Sequence, residues 1–311
     1  MFVIYFLLGF VLLYYGASFL VKGSSSIALS FGVKKVVVGL TLVALGTSMP
    51  EFVVSLFAAL NQVDSVSVGN IVGSNLANIL LVLGVTAVIR PIEVQPRIFR
   101  VEIPVLIIIT GLFVFFCYDG SLSGREGAIL FVLFLLYMGF IIANRKVQQF
   151  ENVEIEQAEP GRNMKNLMLT LLGLAGLVVG GQLTIRGAIG LARSFGISEL
   201  IIGLTVVALG TSLPELFTSA VAVIKKEDEI SLGNIIGSNL FNTAFVLGIV
   251  PMIYTLKIDP QVIRFDNFFM LGVTFMLALF LLIGRRLSRL EGFCMLLMYS
   301  LFIANLILRI I

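Results

Sequence analysis

Two glutamates of this sequence lie where ionised side chains are costly. Glu51 and Glu215 each stand inside a long apolar stretch, whereas the remaining acidic residues fall in polar segments or at the ends of such stretches. Burying an ionised carboxylate at the centre of a membrane helix costs about 2.5–3.5 kcal/mol. No Lys or Arg stands in the middle of an apolar stretch to offset that cost. The pattern predicts a cation bound by both glutamates; a protonated glutamate, hydrogen-bonded within a helix bundle, is the alternative.

Each glutamate closes the same motif, Gly-Thr-Ser-x-Pro-Glu. Proline lacks a backbone N–H and clashes with the preceding turn, so Pro50 frees the carbonyl oxygen of Gly46, and Pro214 acts in the same way on Gly210. Irregular backbone is tolerated inside a membrane where it lines a cavity; a kink that serves only packing is the alternative. Four positions in each copy share one helical face at i, i+3, i+4 and i+7: Ala44, Thr47, Ser48 and Glu51, then Ala208, Thr211, Ser212 and Glu215.

A second repeated motif, Gly-Asn-x-x-Gly-Ser-Asn, follows each glutamate at 69–75 and 233–239. Its glycines, Gly69 and Gly73 in the first copy, have the spacing of closely packed membrane helices. Buried asparagines can bond one helix to another, and beside a carboxylate site they can instead supply neutral oxygen ligands. Each copy places a serine and an asparagine four residues apart on one helical face: Ser74 with Asn78, and Ser238 with Asn242.

All the candidate ligands are oxygen atoms. The sequence has no histidine, and its two cysteines, Cys117 and Cys294, fall in apolar runs where we expect buried, inert thiols. Oxygen-only sites suit hard cations, and a flexible set of six or more oxygens suits Ca²⁺ better than Mg²⁺. Two carboxylates neutralise one Ca²⁺ or two Na⁺, so one shared site could exchange the two ions.

The motifs recur because the chain contains an internal duplication. Residues 34–51 (KKVVVGLTLVALGTSMPE) correspond to residues 198–215 (SELIIGLTVVALGTSLPE), and residues 67–84 correspond to residues 231–248, always at an offset of 164. A constant offset means that the connections between the motifs are equally long in both copies. Such self-similarity indicates two copies of one structural unit.

Apolar runs separated by charged and glycine-rich breaks predict ten membrane-spanning helices. Five spans per repeat is an odd number, so the second repeat must enter the membrane from the opposite face. We therefore predict an all-α integral membrane protein of two inverted five-helix repeats, with helices 2, 3, 7 and 8 broken around an ion site at the membrane midplane. The predicted spans lie near residues 2–20, 36–60, 67–89, 102–118, 126–143, 166–184, 200–224, 230–254, 267–284 and 291–308.

The composition favours a membrane protein over a soluble one. Hydrophobic residues make up 59% of the chain and charged residues 13%, and the mean hydropathy is +1.08, so the charge is too sparse to cover a soluble surface. The chain opens directly into an apolar run, without a basic segment or a cleavage site, and we expect a first membrane helix rather than a signal peptide. The basic residues are scattered, which argues against nucleic acid as a partner.

The predicted first repeat covers residues 1–143 and the second covers residues 166–311, with a polar linker at 144–165 between them. The motif-bearing segments lie at about 36–89 and 200–254. Loops on the linker's side hold 15 of the 21 Lys and Arg residues, and positively charged loops remain in the cytoplasm. We expect a protein of the cell membrane with both termini outside and a cytosolic linker, and no sequence feature predicts an obligatory protein partner.

These residues resemble the α-repeats of the cation/calcium exchanger superfamily, especially those of its prokaryotic sodium/calcium exchanger branch. The resemblance rests on Gly-Thr-Ser-x-Pro-Glu paired with Gly-Asn-x-x-Gly-Ser-Asn in both halves, and through the topology it extends to the whole chain. It implies ten helices in two inverted halves that exchange cytosolic Ca²⁺ for external Na⁺ by alternating access, through four clustered ion sites. No cofactor is implied beyond the transported ions.

The resemblance also implies a role for each motif position. Glu51 and Glu215 match the central Ca²⁺ ligands, which are shared with Na⁺. Main-chain carbonyl groups are implied as ligands at four positions, for Ca²⁺ at Thr47 and Thr211 and for Na⁺ at Ala44 and Ala208. Oxygen ligands of the sodium sites are implied at Ser48, Ser212, Ser74 and Ser238, and the remaining inner positions at Asn78 and Asn242. The missing N–H of Pro50 points instead to the Gly46 carbonyl, so the backbone ligand stays open.

One departure from the family pattern bears on the transported ions. Potassium-coupled members and some archaeal relatives carry aspartate where this chain has Asn242, so we expect no K⁺ dependence. Proton-coupled relatives keep similar glutamates, and Glu51 and Glu215 could carry protons themselves, so a Ca²⁺/H⁺ antiporter is the alternative to a Na⁺/Ca²⁺ antiporter. A passive cation channel is an alternative from another class. No nucleophile–base pair accompanies the glutamates to indicate an enzyme.

Overall fold

The structure of the protein is a computed structural model, and it is almost entirely helical. It describes residues 1–144, 162–195, 208–260, 262–284 and 286–308. The predicted linker at 144–165 therefore lies mostly outside the described residues, as does the first part of the predicted span at 200–224.

The first half of the chain forms six helices: α1 (Phe2–Ser30), α2 (Lys35–Thr47), α3 (Met49–Leu60), α4 (Asp64–Ile89), α5 (Ile98–Asp119) and α6 (Gly124–Ala143). The second half forms α7 (Arg162–Ser194), α8 (Ala208–Thr211), α9 (Leu213–Ile224), α10 (Asp228–Ile253), α11 (Val262–Gly284) and α12 (Arg289–Leu308). Among the described residues, eight helices are long and apolar enough to cross a membrane, and α2 with α3 makes a ninth, bent span. Together with α8 and α9, this arrangement is compatible with the ten predicted spans.

Two of the predicted spans are longer than the sequence suggested. α1 and α7 contain 29 and 33 residues, whereas the apolar runs end near residues 20 and 184. Each helix continues past an exposed basic residue, Lys22 in α1 and Arg186 in α7, at equivalent positions of the two repeats. Hydropathy marks only the apolar part of a helix, so it missed these polar extensions.

Four short strands show how the repeats are oriented. β1 (Ile92–Glu93) precedes α5 and pairs antiparallel with β4 (Arg286–Leu287), which follows α11. β2 (Ser121–Leu122) follows α5 and pairs antiparallel with β3 (Leu256–Lys257), which precedes α11. The start of α5 thus lies beside the end of α11, so these equivalent helices run in opposite directions. α5 has 22 residues, about 33 Å at the helical rise, which separates the two ribbons by a membrane thickness and confirms the predicted inversion.

π-helical turns recur at equivalent places in the two repeats. α4 contains one at Ala77–Val82 and α10 contains one at Phe241–Val246. α5 and α11 each begin with another, at Ile98–Glu102 and Val262–Asp266. The widened turn of a π-helix shifts side chains and carbonyl groups out of the α-helical register, and such turns are frequent at functional sites. The breaks predicted in the third and eighth membrane spans are therefore π-helical turns within the otherwise continuous helices α4 and α10.

α4 and α10 are the most buried spans. About four-fifths of their most apolar stretch lies inside the protein, 78% in α4 and 83% in α10, against 22% in α12 and 28% in α1. The outer helices present apolar side chains outward, as a lipid-facing surface requires. Cys294 lies on that outer surface of α12, so its predicted burial was wrong, whereas Cys117 is buried as expected. The polar residues of the repeated motifs therefore belong to the protein interior.

α1 and α7 pack against each other along a seam of glycines. Three glycines of α1 and their equivalents in α7 recur every seven residues, Gly9, Gly16 and Gly23 with Gly173, Gly180 and Gly187. A Cβ atom placed on Gly16 would lie 2.8 Å from the backbone nitrogen of Leu177 and 2.9 Å from the carbonyl oxygen of Gly173. Small residues at such spacing allow helix backbones to approach closely in a membrane.

The glycine motif also packs as predicted in the second copy. A Cβ atom on Gly233 would lie 2.7 Å from the carbonyl oxygen of Val36, and one on Gly237 would lie 2.7 Å from Cβ of Ala44. α10 thus lies directly against α2, and the second repeat contacts the helix that leads to Glu51. For Gly69 and Gly73 the equivalent partners would be residues 200–208, most of which lie outside the described part of the chain.

The glycine seam yields a stability prediction. Gly16→Ala should lower the melting temperature of the detergent-solubilised protein, because overpacking against backbone atoms costs about 1–3 kcal/mol. Gly139→Ala is the matched control: Gly139 is exposed on α6, and an added Cβ meets no atom of the described residues within 4 Å. The control should keep or raise the melting temperature, because alanine favours the helix by about 0.5–1 kcal/mol. Equal melting temperatures for the two variants would contradict the packing role of the seam.

Candidate ion-binding site

Proline breaks the helix next to each motif glutamate. α2 ends at Thr47, Ser48 leaves the helical conformation with φ −86° and ψ 3°, and α3 starts with Pro50 in its first turn. The α2 and α3 axes differ by 43°. Ser212 has nearly the same conformation, φ −88° and ψ 4°, in the second copy. The proline motif therefore produces the predicted discontinuity in both repeats.

The helix break affects the hydrogen bonding of the Ala44 and Gly46 carbonyl groups differently. The Ala44 carbonyl accepts a hydrogen bond from the Ser48 backbone N–H at 3.0 Å, and the Thr47 hydroxyl oxygen lies 3.3 Å from it. The residue four positions after Gly46 is Pro50, which has no N–H to donate. The Gly46 carbonyl thus loses its normal helical donor, whereas the Ala44 carbonyl keeps one.

Glu51 and Glu215 are both fully buried, with no exposed side-chain surface. Each lies in the first turn of a helix, Glu51 in α3 and Glu215 in α9. The positive end of a helix dipole favours a carboxylate by about 0.3–1 kcal/mol. That gain is smaller than the cost of burying an ionised carboxylate at membrane depth, about 2.5–3.5 kcal/mol. The helix termini alone therefore do not balance these charges.

Hydroxyl groups connect the two glutamates across the interface between the repeats. Ser48 of the first repeat donates a hydrogen bond to Oε1 of Glu215 at 3.4 Å. Ser74 donates to Oε1 of Glu51 at 3.4 Å and lies 3.5 Å from the Thr211 hydroxyl of the second repeat. Both carboxylates thus belong to one polar cluster, to which both repeats contribute.

Thr47 and Thr211 lie in this cluster with two asparagines that the sequence analysis missed. The Thr47 hydroxyl donates to Oδ1 of Asn234 at 3.0 Å and lies 3.3 Å from the Ser238 hydroxyl. The Thr211 hydroxyl lies 3.5 Å from Oδ1 of Asn70, the equivalent of Asn234. Both asparagines stand in the Gly-Asn-x-x-Gly-Ser-Asn motif, so their recurrence was the signal that could have identified them.

Asn70 and Asn234 bond to the helices that carry the glutamates. Nδ2 of Asn70 donates to the Ser55 hydroxyl at 3.0 Å and to the Glu51 carbonyl oxygen at 3.1 Å. Nδ2 of Asn234 donates to the Ser219 hydroxyl at 3.0 Å, the equivalent bond in the other repeat. These bonds tie α4 to α3 and α10 to α9, and so fix each glutamate-bearing helix.

Asn78 and Asn242 pair with another two motif asparagines across the repeat interface. Nδ2 of Asn78 donates to Oδ1 of Asn239 at 3.2 Å, and Nδ2 of Asn242 donates to Oδ1 of Asn75 at 3.2 Å. The two bonds are related by the internal duplication. The sequence left two roles open for these asparagines, a bond to another helix and the supply of an oxygen ligand. The amide nitrogen of each asparagine bonds the other helix, and its Oδ1 has no donor among the described residues.

Several buried oxygens in this region accept or donate no hydrogen bond within the described part of the chain. They are Oε2 of Glu51, Oε2 of Glu215, Oγ of Ser212, Oδ1 of Asn78 and Oδ1 of Asn242. The ion pairs found among the described residues, Lys35–Glu227, Arg90–Asp228 and Arg97–Glu102, leave both motif glutamates without a cationic side chain. Buried oxygens without donors destabilise a protein unless another partner binds them. Carboxylate, hydroxyl and amide oxygens of this kind suit a hard cation.

Known proteins share this sequence and architecture. The family described as "Sodium/calcium exchanger protein" matches residues 1–143 and 165–308. The chain belongs to the sodium/calcium exchanger protein family.

Relatives of this exchanger family cover nearly the whole chain. CaxA of Alkalimonas amylolytica, which its name describes as a proposed antiporter, is 42% identical over 95% of both chains. The sodium/calcium exchanger MaX1 of Methanosarcina acetivorans is 29% identical, over 96% of this chain and 97% of its own. A structure of the sodium–calcium exchanger NCX_Mj, soaked with Na⁺ and Ca²⁺, superposes with a TM-score of 0.87 at 33% identity over 98% of both chains. The fold of the exchanger family is therefore that of this protein.

The structure brings most of the predicted site residues of this exchanger together. Eight of them take part in the polar cluster or in the asparagine pairs beside it: Thr47, Ser48, Glu51, Ser74, Asn78, Thr211, Glu215 and Asn242. Ser238 lies against Thr47, and Ser212 is buried beside the helix break. Ala44 is buried in α2, while the side chain of Ala208 lies outside the described residues.

A third fully buried carboxylate was missed by the sequence analysis. Glu102 was assigned to a span end, but it lies in the π-helical turn that opens α5 and has no exposed surface. Its Oε1 pairs with Nε of Arg97 at 2.9 Å. Unlike Glu51 and Glu215, Glu102 has a cationic partner, so it forms a structural ion pair and lacks the pattern of a cation site. The available signal was Arg97, five residues before Glu102.

The Arg97–Glu102 pair yields a second stability prediction. Glu102→Gln should lower the melting temperature strongly, because removing one partner of a buried ion pair costs about 3–5 kcal/mol. The double variant Arg97→Gln, Glu102→Gln should recover much of the loss, since no buried charge remains unpaired. Thermal unfolding of both variants in detergent checks this prediction. A double variant less stable than Glu102→Gln alone would show that the pair does not act as a unit.

Proposed function

We propose that the protein is a secondary active antiporter that exchanges Ca²⁺ for Na⁺ across the membrane by alternating access. The single observation that carries this proposal is the pair of fully buried glutamates, one from each inverted repeat, in one polar cluster without a cationic side chain among the described residues. Inverted repeats that meet at the membrane midplane are the usual architecture of secondary transporters. The names of the relatives, antiporter and sodium/calcium exchanger, support the same reading.

The charge of the site explains why two ions would be exchanged rather than carried together. Two carboxylates in a low-dielectric interior are balanced by one Ca²⁺ or by two Na⁺. Either load makes the polar cluster close to neutral, and both loads at once would leave excess positive charge at membrane depth. Competition between Ca²⁺ and Na⁺ for the same oxygens therefore follows from electrostatics.

We assign the proposed ligands by their contacts and chemistry. Glu51 and Glu215 would bind Ca²⁺ and Na⁺ directly, and the donor-free oxygens of Asn78, Asn242 and Ser212 would complete the set. Hydroxyl oxygens of Ser48, Ser74 and Ser238 and main-chain carbonyls of Thr47, Thr211, Ala44 and Ala208 are the further candidates. Gly46 is the alternative to Ala44 as the source of a main-chain carbonyl ligand. The absent N–H of Pro50 favours the Gly46 carbonyl, because it leaves that oxygen without its normal helical donor.

We propose that access alternates by movement of one set of helices against the other. The inverted repeats make the two membrane faces structurally equivalent around one site. The helix breaks at Ser48 and Ser212 provide places where the backbone can bend, and hinges are commonly found at such element ends. The proposed orientation has the 144–165 linker in the cytosol and both termini outside, which rests on the distribution of Lys and Arg.

The coupling ion is tested by Ca²⁺ flux in proteoliposomes under imposed gradients. We expect an outward Na⁺ gradient to drive Ca²⁺ uptake at constant pH, while K⁺ and pH gradients alone do not. A pH gradient that drives uptake without Na⁺ would support the Ca²⁺/H⁺ alternative, in which the glutamates exchange protons for Ca²⁺. Uptake that runs only down the Ca²⁺ gradient, with no counter-ion requirement, would contradict antiport.

Removing either glutamate charge should abolish transport while leaving the protein folded. Glu51→Gln and Glu215→Gln keep the shape of the side chain, so we expect unchanged elution on size exclusion and no Ca²⁺ uptake. Glu93→Gln is the matched control, because Glu93 is exposed in β1, and it should transport normally. Transport retained by either buried-site variant would contradict a site shared by both glutamates.

A third carboxylate at the site should change its cation preference. Asn242→Asp adds a negative charge at a fully buried position, so we expect a lower KM for Ca²⁺ or a newly acquired response to K⁺. Ca²⁺ uptake with and without K⁺ measures both effects. Asn61→Asp, at an exposed asparagine after α3, controls for added charge elsewhere. Identical kinetics in wild type and Asn242→Asp would place residue 242 outside the ion path.

A further inference from the structure

Asn242 presents its amide in one defined direction. Its Nδ2 donates to Oδ1 of Asn75 at 3.2 Å, whereas its Oδ1 is buried and has no donor among the described residues. Asn242 lies one helical turn after Ser238, which contacts Thr47 in the polar cluster. Because the two polar atoms of an amide point in different directions, the bond to Asn75 leaves the oxygen available to a cation.

Two contacts hold the side chain of Asn75, and the second of them sets its orientation. Nδ2 of Asn75 donates to the Thr243 hydroxyl at 2.8 Å and approaches Sδ of Met270 at 3.7 Å. A thioether sulfur can only accept a hydrogen bond, so the amide nitrogen and not the oxygen must face Met270. Oδ1 of Asn75 is then the atom that faces Asn242, and it can bond only to the amide nitrogen of Asn242.

The first repeat lacks this arrangement. Nδ2 of Asn78 donates to Oδ1 of Asn239, but Nδ2 of Asn239 has no acceptor among the described residues. The positions equivalent to Thr243 and Met270 are Ile79 and Leu106, which offer no polar atom. The amide of Asn239 can therefore turn over without losing a bond to a third residue, and the orientation of Asn78 is less constrained than that of Asn242.

We propose that Asn75 is a positioning residue, which Thr243 and Met270 hold in place so that Asn242 presents a carbonyl oxygen, and never an amide nitrogen, to the transported cation. The inference rests on the proposed antiport function and assigns a specificity determinant of that site. If the Asn242 amide turned over, its NH₂ group would face the cation and repel it. Asn242 in the second repeat therefore has a carbonyl oxygen of fixed direction, whereas the amide of Asn78 in the first repeat is free to turn over.

The test removes the hydroxyl that holds Asn75 and leaves the site residues unchanged. Thr243→Val keeps the size of the side chain and resembles the Ile79 of the first repeat, so folding should be preserved. We expect the KM for Ca²⁺ to rise about threefold to tenfold, the worth of one net hydrogen bond, with little change in kcat. Thr243→Ser keeps the hydroxyl and should restore the wild-type KM. Combining Thr243→Val with Met270→Leu, which recreates the first-repeat pair, should raise KM further.

Thr274→Val is the matched control. Its hydroxyl donates to the Met270 carbonyl oxygen of its own helix at 2.9 Å, and no hydrogen bond among the described residues joins it to Asn75 or Asn242. Its removal should therefore leave the KM for Ca²⁺ unchanged. A wild-type KM in Thr243→Val, or an equal rise in Thr274→Val, would overturn the positioning role.

A second measurement separates this inference from the proposed function. The cation-dependent rise in melting temperature reports binding without transport, and it is titrated with Ca²⁺ and with Na⁺ in the same variants. Wild-type protein that binds Ca²⁺ but shows no exchange would contradict antiport, while a weaker Ca²⁺ or Na⁺ response in Thr243→Val would still support the role of Asn75. Unchanged titrations for both cations would contradict that role even where antiport is demonstrated.

Discussion

Two fully buried carboxylates, with no cationic side chain beside them in the part of the chain that the structure describes, define this structure. Glu51 and Glu215 are completely buried, and the nearby hydroxyls of Ser48 and Ser74 give them only neutral hydrogen bonds. Neutral donors stabilise a carboxylate but do not cancel its charge. The surrounding architecture serves to keep these charges together and out of the lipid. α4 and α10 carry the second motif through the centre of the protein, and the outer helices cover them.

The internal duplication gives the site an approximate two-fold symmetry that is kept in some contacts near the glutamates and lost in others, since Ser48 bonds Glu215 whereas the equivalent Ser212 bonds no described residue. The pairs Asn70–Ser55 and Asn234–Ser219 are equivalent and have the same length, 3.0 Å. On the face predicted to be cytosolic, by contrast, Glu227 binds Lys35 at 2.8 Å. The residue equivalent to Glu227 is Val63. The repeats thus share the bonds that fix the glutamate-bearing helices, whereas individual polar contacts differ between them.

The fold was largely predictable because its strongest signals are local. Apolar runs of about 20 residues identify membrane helices, and the constant offset of 164 between Glu51 and Glu215 identified the repeats and, through an odd number of spans, their inversion. The breaks at Ser48 and Ser212 followed from proline chemistry. The sequence did not predict the polar extensions of α1 and α7 or the outward position of Cys294, because these features depend on tertiary contacts.

The site was only partly predictable for the same reason. Residues on one helical face were found by their spacing, which is how Thr47 was chosen with Glu51 and Ser74 with Asn78. Asn70 and Asn75 act across helices, through bonds to Ser55 and to Thr243, and no spacing rule within one helix detects them. Glu102 was set aside because it is the first residue of the predicted span at 102–118. The ligand roles themselves stay predictions, since they depend on an ion that binds to all these elements at once.

In the proposed mechanism a transported cation, and not a proton, balances the charges of Glu51 and Glu215. Infrared difference spectroscopy of the purified protein tests it directly, by adding Ca²⁺ or Na⁺ and recording the carboxyl and carboxylate bands. We expect both ions to shift carboxylate bands, and we expect these shifts to be missing from the double variant Glu51→Gln, Glu215→Gln. A band of protonated carboxyl groups that stays unchanged at saturating Ca²⁺ and Na⁺ would contradict it.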